Sequence, residues 1–178
     1  MTVRRRFVAL VSVGCFALVT GPVVGATGAT ANTVAPACRP SQIRVTTGVA
    51  EGAAGTIYVP LVFTNRGAAC ALWGVPSVQA VASTHHPVGP PARNDSIGQL
   101  AVRHVVAHGQ SVASAYGVAE TGNYPPSLCH ARRAWGVRVR LGPFAGPTYV
   151  RLSESVCTSR ASTHVQLVVP GRTGVPTS

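Results

Sequence analysis

The side chains able to do chemistry in this chain are few, and their spacing joins them into no motif. There are six histidines. His85 and His86 lie in a stretch rich in proline and glycine and, being adjacent, point opposite ways in an extended chain. His104 and His108 are four apart and share a face of a strand, but at about 3.3 Å per residue their Cα atoms stand roughly 13 Å apart, so only a bend would let them hold one ion. His130 neighbours a cysteine and His164 sits in the last apolar run. None has ligand spacing; His85 and His86 are expected in a solvated loop, and no metal and no cofactor is expected. Gly109-Gln110-Ser111-Val112-Ala113 has the start of a nucleophile elbow but lacks its final glycine and the strand-to-helix turn that exposes the serine. The four acids, Glu51, Asp95, Glu120 and Glu154, fall on separate loops or strand ends, with no carboxylate pair for glycoside chemistry. Asn94-Asp95-Ser96 forms a glycosylation sequon, which marks an exposed loop. The residues therefore assign no catalytic group, and an envelope metal protein or enzyme built on the histidine loops is the weaker of two readings.

The stronger reading starts from arginine. All 15 basic residues are arginines, and Arg132, Arg133, Arg138, Arg140 and Arg151 crowd one third of the chain. Arg138, Arg140 and Arg151 alternate with Val137, Val139 and Val150, so a sheet that buries the valines presents these guanidinium groups together. Arginine forks suit carboxylate and phosphate groups. The partners this implies are an anionic envelope glycan, a lipid head group or another envelope protein. Nucleic acid is not expected, because no recognition motif accompanies the charge. A solvated sheet face is the plain alternative.

Export follows from the N-terminus. Arg4, Arg5 and Arg6 precede an apolar run from Phe7 to Val19, and Ala29-Thr30-Ala31 supplies a signal-peptidase site, so residues 1–31 read as a signal peptide cleaved before Asn32. The run is broken by Gly21 and Pro22 and falls short of the roughly 18–20 residues of a membrane span. Arg4 to Val8 also resembles a twin-arginine start. Cys15 follows Gly14 as a lipidated cysteine would, but Ser12 occupies a position that favours an aliphatic residue, so this thiol goes with the removed segment. What remains carries twelve arginines against four acids, a net charge of +8. It also retains Cys38, Cys70, Cys129 and Cys157, an even set with no C-x-x-C pair, as expected of disulfides in an oxidising compartment.

The elements that must position these groups are strands. Gly55 to Gly74 organises the rest: Ile57, Val59, Leu61 and Phe63 alternate with Tyr58, Val62 and Thr64, and Pro60 requires a place where its missing N–H meets no ladder. Asn65, Arg66 and Gly67 then signal a turn. Further strands are predicted over 42–47, 77–82, 100–107, 111–119, 135–141, 149–153 and 163–169. The 100–107 and 111–119 strands form a hairpin about Gly109 and Gln110, and the loop 83–96 is mobile on composition. Trp135 faces inward with Val137, Val139 and Leu141, and Trp73 likewise packs in the core. About eight short strands between Gly/Pro turns indicate an all-β, antiparallel, immunoglobulin-like sandwich. Of the three possible disulfide pairings, the hairpins favour Cys38 with Cys70 and Cys129 with Cys157, because each pair lies beyond the open end of one hairpin. Each closes about 30 residues, worth roughly 3.5–4 kcal/mol in the chain-entropy model.

With these residues in view, the chain resembles the exported actinobacterial proteins that carry domain of unknown function 4232. The likeness rests on a cysteine shortly before the first strand, GAAGTIYVPLVFTN at 52–65, CALWGVPSV at 70–78, a small-residue strand after a glycine turn at 109–115, and the late Cys129 and Cys157. It implies a sandwich outside the cytoplasm, often as a lipoprotein, and transfers no catalytic residue. The expected organisation is signal peptide 1–31, linker 32–37, sandwich domain 38–170 and a flexible tail 171–178, acting as a non-enzymatic binding module, secreted or in the cell envelope.

Overall fold

The computed structural model describes residues 34–142 and 147–175. The signal peptide, Cys15 and the start of the linker lie outside the described residues, as does the tip of the last long hairpin. Twelve strands follow in order: β1 (Ile43–Thr47), β2 (Glu51–Ala53), β3 (Thr56–Asn65), β4 (Cys70–Leu72), β5 (Ser77–Val81), β6 (Arg93–Asn94), β7 (His104–Val106), β8 (Ser111–Ala119), β9 (Ala131–Arg140), β10 (Thr148–Cys157), β11 (Thr163–Val165) and β12 (Val169–Pro170). Short helical turns at Pro40–Gln42, Thr121–Asn123 and α1 (Pro126–Cys129) are the only helix among the described residues.

The period-two pattern of β3 places it at the centre of the larger sheet. On one side it pairs with β8, from Thr56↔Ala119 to Thr64↔Ser111. On the other it pairs with β1 over Leu61–Asn65 and with β2 over Thr56–Tyr58. Pro60 falls in the gap between those two partners, where its carbonyl accepts from the Gly48 N–H at 2.8 Å and its ring nitrogen faces no strand. The β2–β3 hairpin turns on Ala54 and Gly55, both at positive φ (48° and 74°), as a two-residue turn that matches strand twist requires. Beyond β8 lie β11 and β12, and β6 joins β11 in parallel.

The second layer is the antiparallel sheet β10-β9-β5. Leu61, Phe63, Val112, Tyr116, Val118 and Val165 of the larger sheet pack against Val78, Ala80, Ala134, Val137, Val139, Val150 and Val156 of the smaller. Each of the valine, leucine and phenylalanine side chains among them contributes about 1.5–3 kcal/mol on burial. The fold is thus an all-β sandwich. A separate ribbon, β4–β7, closes one side, and Pro36 to Cys38 runs along it: the Cys38 N–H donates to Ala71 and the Ala71 N–H to Pro36. Both disulfides form in the pairing that the hairpins favour, Cys38–Cys70 and Cys129–Cys157, with Cα atoms 4.8 and 4.5 Å apart. The registers explain this: Ile43 opposes Asn65, five residues inside each cysteine of the first pair, and Cys157 opposes Ala131, two residues after Cys129.

Several local expectations are overturned. The predicted strand 100–107 is ordered into a ladder only over His104–Val106, and its partner is β4, not β8. The Gly109–Gln110 turn exists, with the Gln110 N–H donating to Ala107, but the carbonyl of Gln110 and the N–H of Gly109 are taken by Asn65, which steers the two strands into different sheets. The loop 83–96 is pinned. Val88 and Ala92 donate to Ala80 and Val78 along the free edge of β5, and Arg93–Asn94 adds to β11. Of the tail, Gly171 donates to Ser111, and Gly174 is buried against the backbone of Ser114 and Ala115.

Candidate anion-binding face

The register of the smaller sheet decides whether the arginines share a surface. Val137, Val139 and Val150 are buried, so their alternates Arg138, Arg140, Tyr149 and Arg151 point away from the core. Three rows cross the sheet there: Ser77 with Arg140, Gln79 with Arg138 and Tyr149, and Val81 with Gly136 and Arg151. Cross-strand neighbours in such rows have Cβ atoms about 4.5–5.5 Å apart, and residues two apart on one strand about 6.6 Å between Cα atoms. The three guanidinium groups therefore stand within reach of a single extended ligand. Among the described residues the only basic and acidic side chains within 4 Å of each other are His164 and Asp95, at 3.9 Å, so no carboxylate lies against Arg138, Arg140 or Arg151.

Aromatic rings that the sequence had not placed here complete the face. Tyr149 stacks on His85, with ring centroids 3.9 Å apart and planes 14° from parallel. Trp135 approaches the same histidine at 5.7 Å, and the Arg151 guanidinium lies 5.6 Å from the Trp135 ring. His85 reaches this position from a tight turn in which it adopts a φ of +65° and donates its N–H to Ala82. Gln79 anchors the loop from below, donating to the carbonyl of Gly89 at 3.0 Å. Trp135 was expected in the core. Instead Ala134 takes the buried place, because one extra residue in β10 between Arg151 and Glu154 breaks the register opposite Trp135 and rotates the indole out to half-burial. Trp73 is also half-buried, with the Arg103 guanidinium 4.1 Å from its ring centroid. The outward phase of Tyr149 was legible from Arg151 two residues on; the turn that delivers His85 was not.

The other sequence candidates are kept apart. His104 Nε2 lies 3.1 Å from the Val168 carbonyl and His108 Nδ1 3.3 Å from that of Gly67. Ser111 opens a strand, its hydroxyl 2.8 Å from that of Thr64, far from the setting of an elbow. Among the described residues no three His, Cys, Asp or Glu side chains converge as metal ligands, and all four cysteines there are disulfide-bonded. Asn94 uses its side chain to accept from Ser96 N–H at 2.8 Å, an Asx turn within the sequon.

One acid is not where the sequence placed it. Glu154 lies within β10 and turns inward between the sheets, where Tyr116, fully buried, donates its hydroxyl to Oε1 at 2.9 Å. Oε2 is enclosed and has no hydrogen-bond partner. Burial pushes the Glu154 carboxyl from 4.5 up to about 7, against the opposing effect of the Tyr116 hydrogen bond. Burial, followed by the neighbouring Glu154 charge, holds the Tyr116 hydroxyl well above its ordinary value. Glu154 borders a cleft of about 460 Å³ with Ile57, Val59, Val118 and Leu152. A larger groove of about 830 Å³ runs over the outer face of the larger sheet, between residues 47–53 and 172–175.

No helix among the described residues is long and apolar enough to cross a membrane, and the two disulfides are consistent with an extracytoplasmic setting. Compared with curated proteins, the chain matches none. Residues 38–170, spanning both disulfides and every strand from β1 to β12, match the family described as domain of unknown function (DUF4232), and the chain belongs to that family.

Proposed function

We propose that this chain is an exported, non-enzymatic binding module whose outer β10-β9-β5 face holds an anionic glycan of the cell envelope. The observation that carries the reading is the conjunction on one surface of Arg138, Arg140 and Arg151, without a carboxylate partner among the described residues, and the stacked rings of His85 and Tyr149 with Trp135 tilted beside them. Guanidinium forks recognise carboxylate or phosphate substituents, while flat aromatic faces accept the apolar faces of sugar rings. A rigid sheet floor keeps both at fixed spacing, so little order is lost on binding. Export by way of residues 1–31 supplies the compartment in which such polymers occur.

The test is retention of the protein on immobilised polygalacturonate across a salt gradient. Arg138→Gln with Arg140→Gln should lower the salt needed for elution. Tyr149→Ala should weaken retention with little change in the salt dependence, because it removes stacking and not charge. Equal retention of all three proteins would refute the assignment.

A further inference from the structure

Between β6 and β7 the chain runs from Asp95 to Arg103 without joining a sheet. Both ends of this segment are fixed. Ser96 is buried and its Oγ accepts from the Leu167 N–H at 3.0 Å, while Gln99 N–H donates back to the Ser96 carbonyl. At the other end Arg103 lies over Trp73 and donates to the Ala35 carbonyl at 2.6 Å. Held this way, the segment nevertheless turns its large side chains to solvent: Ile97 is 85% exposed, Leu100 89%, Val102 62%, and Val105 in the adjoining strand 61%. Single exposed aliphatics are ordinary, but four within nine consecutive residues concentrate exposed apolar side chains along one segment. The alternation of Leu100 and Val102 reads in sequence as a strand, yet no core lies beneath it.

Charge selects the partner. The described residues carry twelve arginines against four acids, and the arginines flanking this segment are Arg93 and Arg103. The one acid between them, Asp95, lies 3.9 Å from His164. Exposed aliphatics beside unneutralised arginines match a surface that is apolar below and negative above. We infer that the 97–105 segment docks this protein onto anionic lipid bilayers, with Ile97 and Leu100 entering the acyl boundary and the basic surface held by head groups. The site is separate from the arginine–aromatic face and does not depend on the glycan reading.

The full chain is tested on phosphatidylglycerol/phosphatidylcholine vesicles and on phosphatidylcholine alone. Because residues 1–31 contain an apolar run of their own, a local reporter is needed. Leu100→Trp, at a solvent-exposed position, should gain blue-shifted emission over the unsubstituted chain and be quenched by brominated acyl chains on the anionic vesicles only, less so at high salt. Ile97→Ser with Leu100→Ser should lower the partition coefficient about tenfold or more, whereas Arg138→Gln with Arg140→Gln should do so by a smaller factor. Vesicle binding without quenching at position 100 would assign the attachment to another segment and overturn the inference. So would failure to bind the anionic vesicles at all; Leu100-dependent recovery of a soluble protein would then make the loop a protein-docking surface.

Discussion

Glu154 offers the sharpest perturbation, because a carboxyl held near pH 7 makes the fold sensitive to pH in a direction opposite to that of most carboxylates. Its ordinary value is 4.5 and its folded value about 7. The folded state therefore binds the proton more tightly than the unfolded chain. Stability associated with this group is fully present below pH 4.5, falls as pH rises from 4.5 to 7, and is lost above 7. The difference between the two values corresponds to about 2–3 kcal/mol once the partial solvent access of Glu154 is allowed for. Glu154→Gln removes the ionisation while keeping an acceptor for the Tyr116 hydroxyl. Near pH 4.5 the variant should match the parent within about 1 kcal/mol, since the neutral acid also leaves one buried oxygen unpartnered. At pH 8 it should be the more stable by about 2–3 kcal/mol, or roughly 5–10 °C in Tm for a chain of this size. Denaturant titrations of both proteins at pH 4.5, 6 and 8 measure the difference, in which contributions from Arg133 and Glu120 on the same cleft largely cancel. Parallel stability curves from pH 4.5 to 8 would refute the reasoning.

Gly117 opposes His164 in the β8–β11 ladder, and a Cβ on Gly117 would occupy the space of the imidazole ring; Gly117→Ala should destabilise by about 1–3 kcal/mol, and adding His164→Ala should restore most of the loss in a double-mutant cycle. Asn65 is wholly buried and makes three hydrogen bonds, its amide donating to Val106 and Ala68 and its oxygen accepting from Gly67 N–H. Asn65→Ala should lose about 2–4 kcal/mol in thermal unfolding, well beyond an exposed polar truncation. Arg138→Gln with Arg140→Gln should change stability by less than about 0.5 kcal/mol in the same assay, because neither side chain enters the core or makes an ion pair among the described residues.

The parts of this fold legible from sequence are those governed by local alternation. Residues 56–65 set Ile57, Val59, Leu61 and Phe63 on one side, which their neighbours must cover, so the central strand, its break at Pro60 and the disulfide pairing beyond its open end all follow from one stretch. The same rule failed at Leu100 and Val102, where alternation is present without a core, because period-two spacing reports which side chains share a side and not what lies beneath them. It also failed at Trp135. A one-residue bulge in β10, opposite the indole, reversed its facing, and nothing in the β9 sequence announces an insertion in its partner. Arg138, Arg140 and Arg151 were recoverable because the valines between them fix their phase. His85 joined them only through a turn with a left-handed residue, which the sequence of that loop does not specify. Glu154 was hidden for a related reason: between Ser153 and Ser155 it reads as surface, and only the opposing Tyr116, 38 residues away, reveals its inward aim.

The placement of the second disulfide bears on how the chain tolerates this acid. Cys157 lies three residues beyond Glu154 on the same edge strand, and its bond to Cys129 ties the end of β10 to the start of β9. When Glu154 ionises, the least costly response is for the β10 end to move outward and admit water to Oε2, since β10 pairs with β9 on one side only. The disulfide opposes that motion at its hinge. Ionisation in the oxidised chain therefore lowers global stability, whereas without the crosslink it should open the strand locally. Hydrogen exchange of the Glu154 to Cys157 amides tests the distinction after correction for intrinsic rates. Between pH 5 and pH 8 protection there should fall at least about tenfold further in Cys129→Ala/Cys157→Ala than in the parent, a local opening about 1.4 kcal/mol easier. Because the acid and the crosslink share one strand end, their effects should be non-additive, and Glu154→Gln in the disulfide-free chain should abolish the pH-dependent part. Loss of protection that is the same at both pH values, with Glu154 present or replaced, would show that the disulfide and the carboxyl act independently.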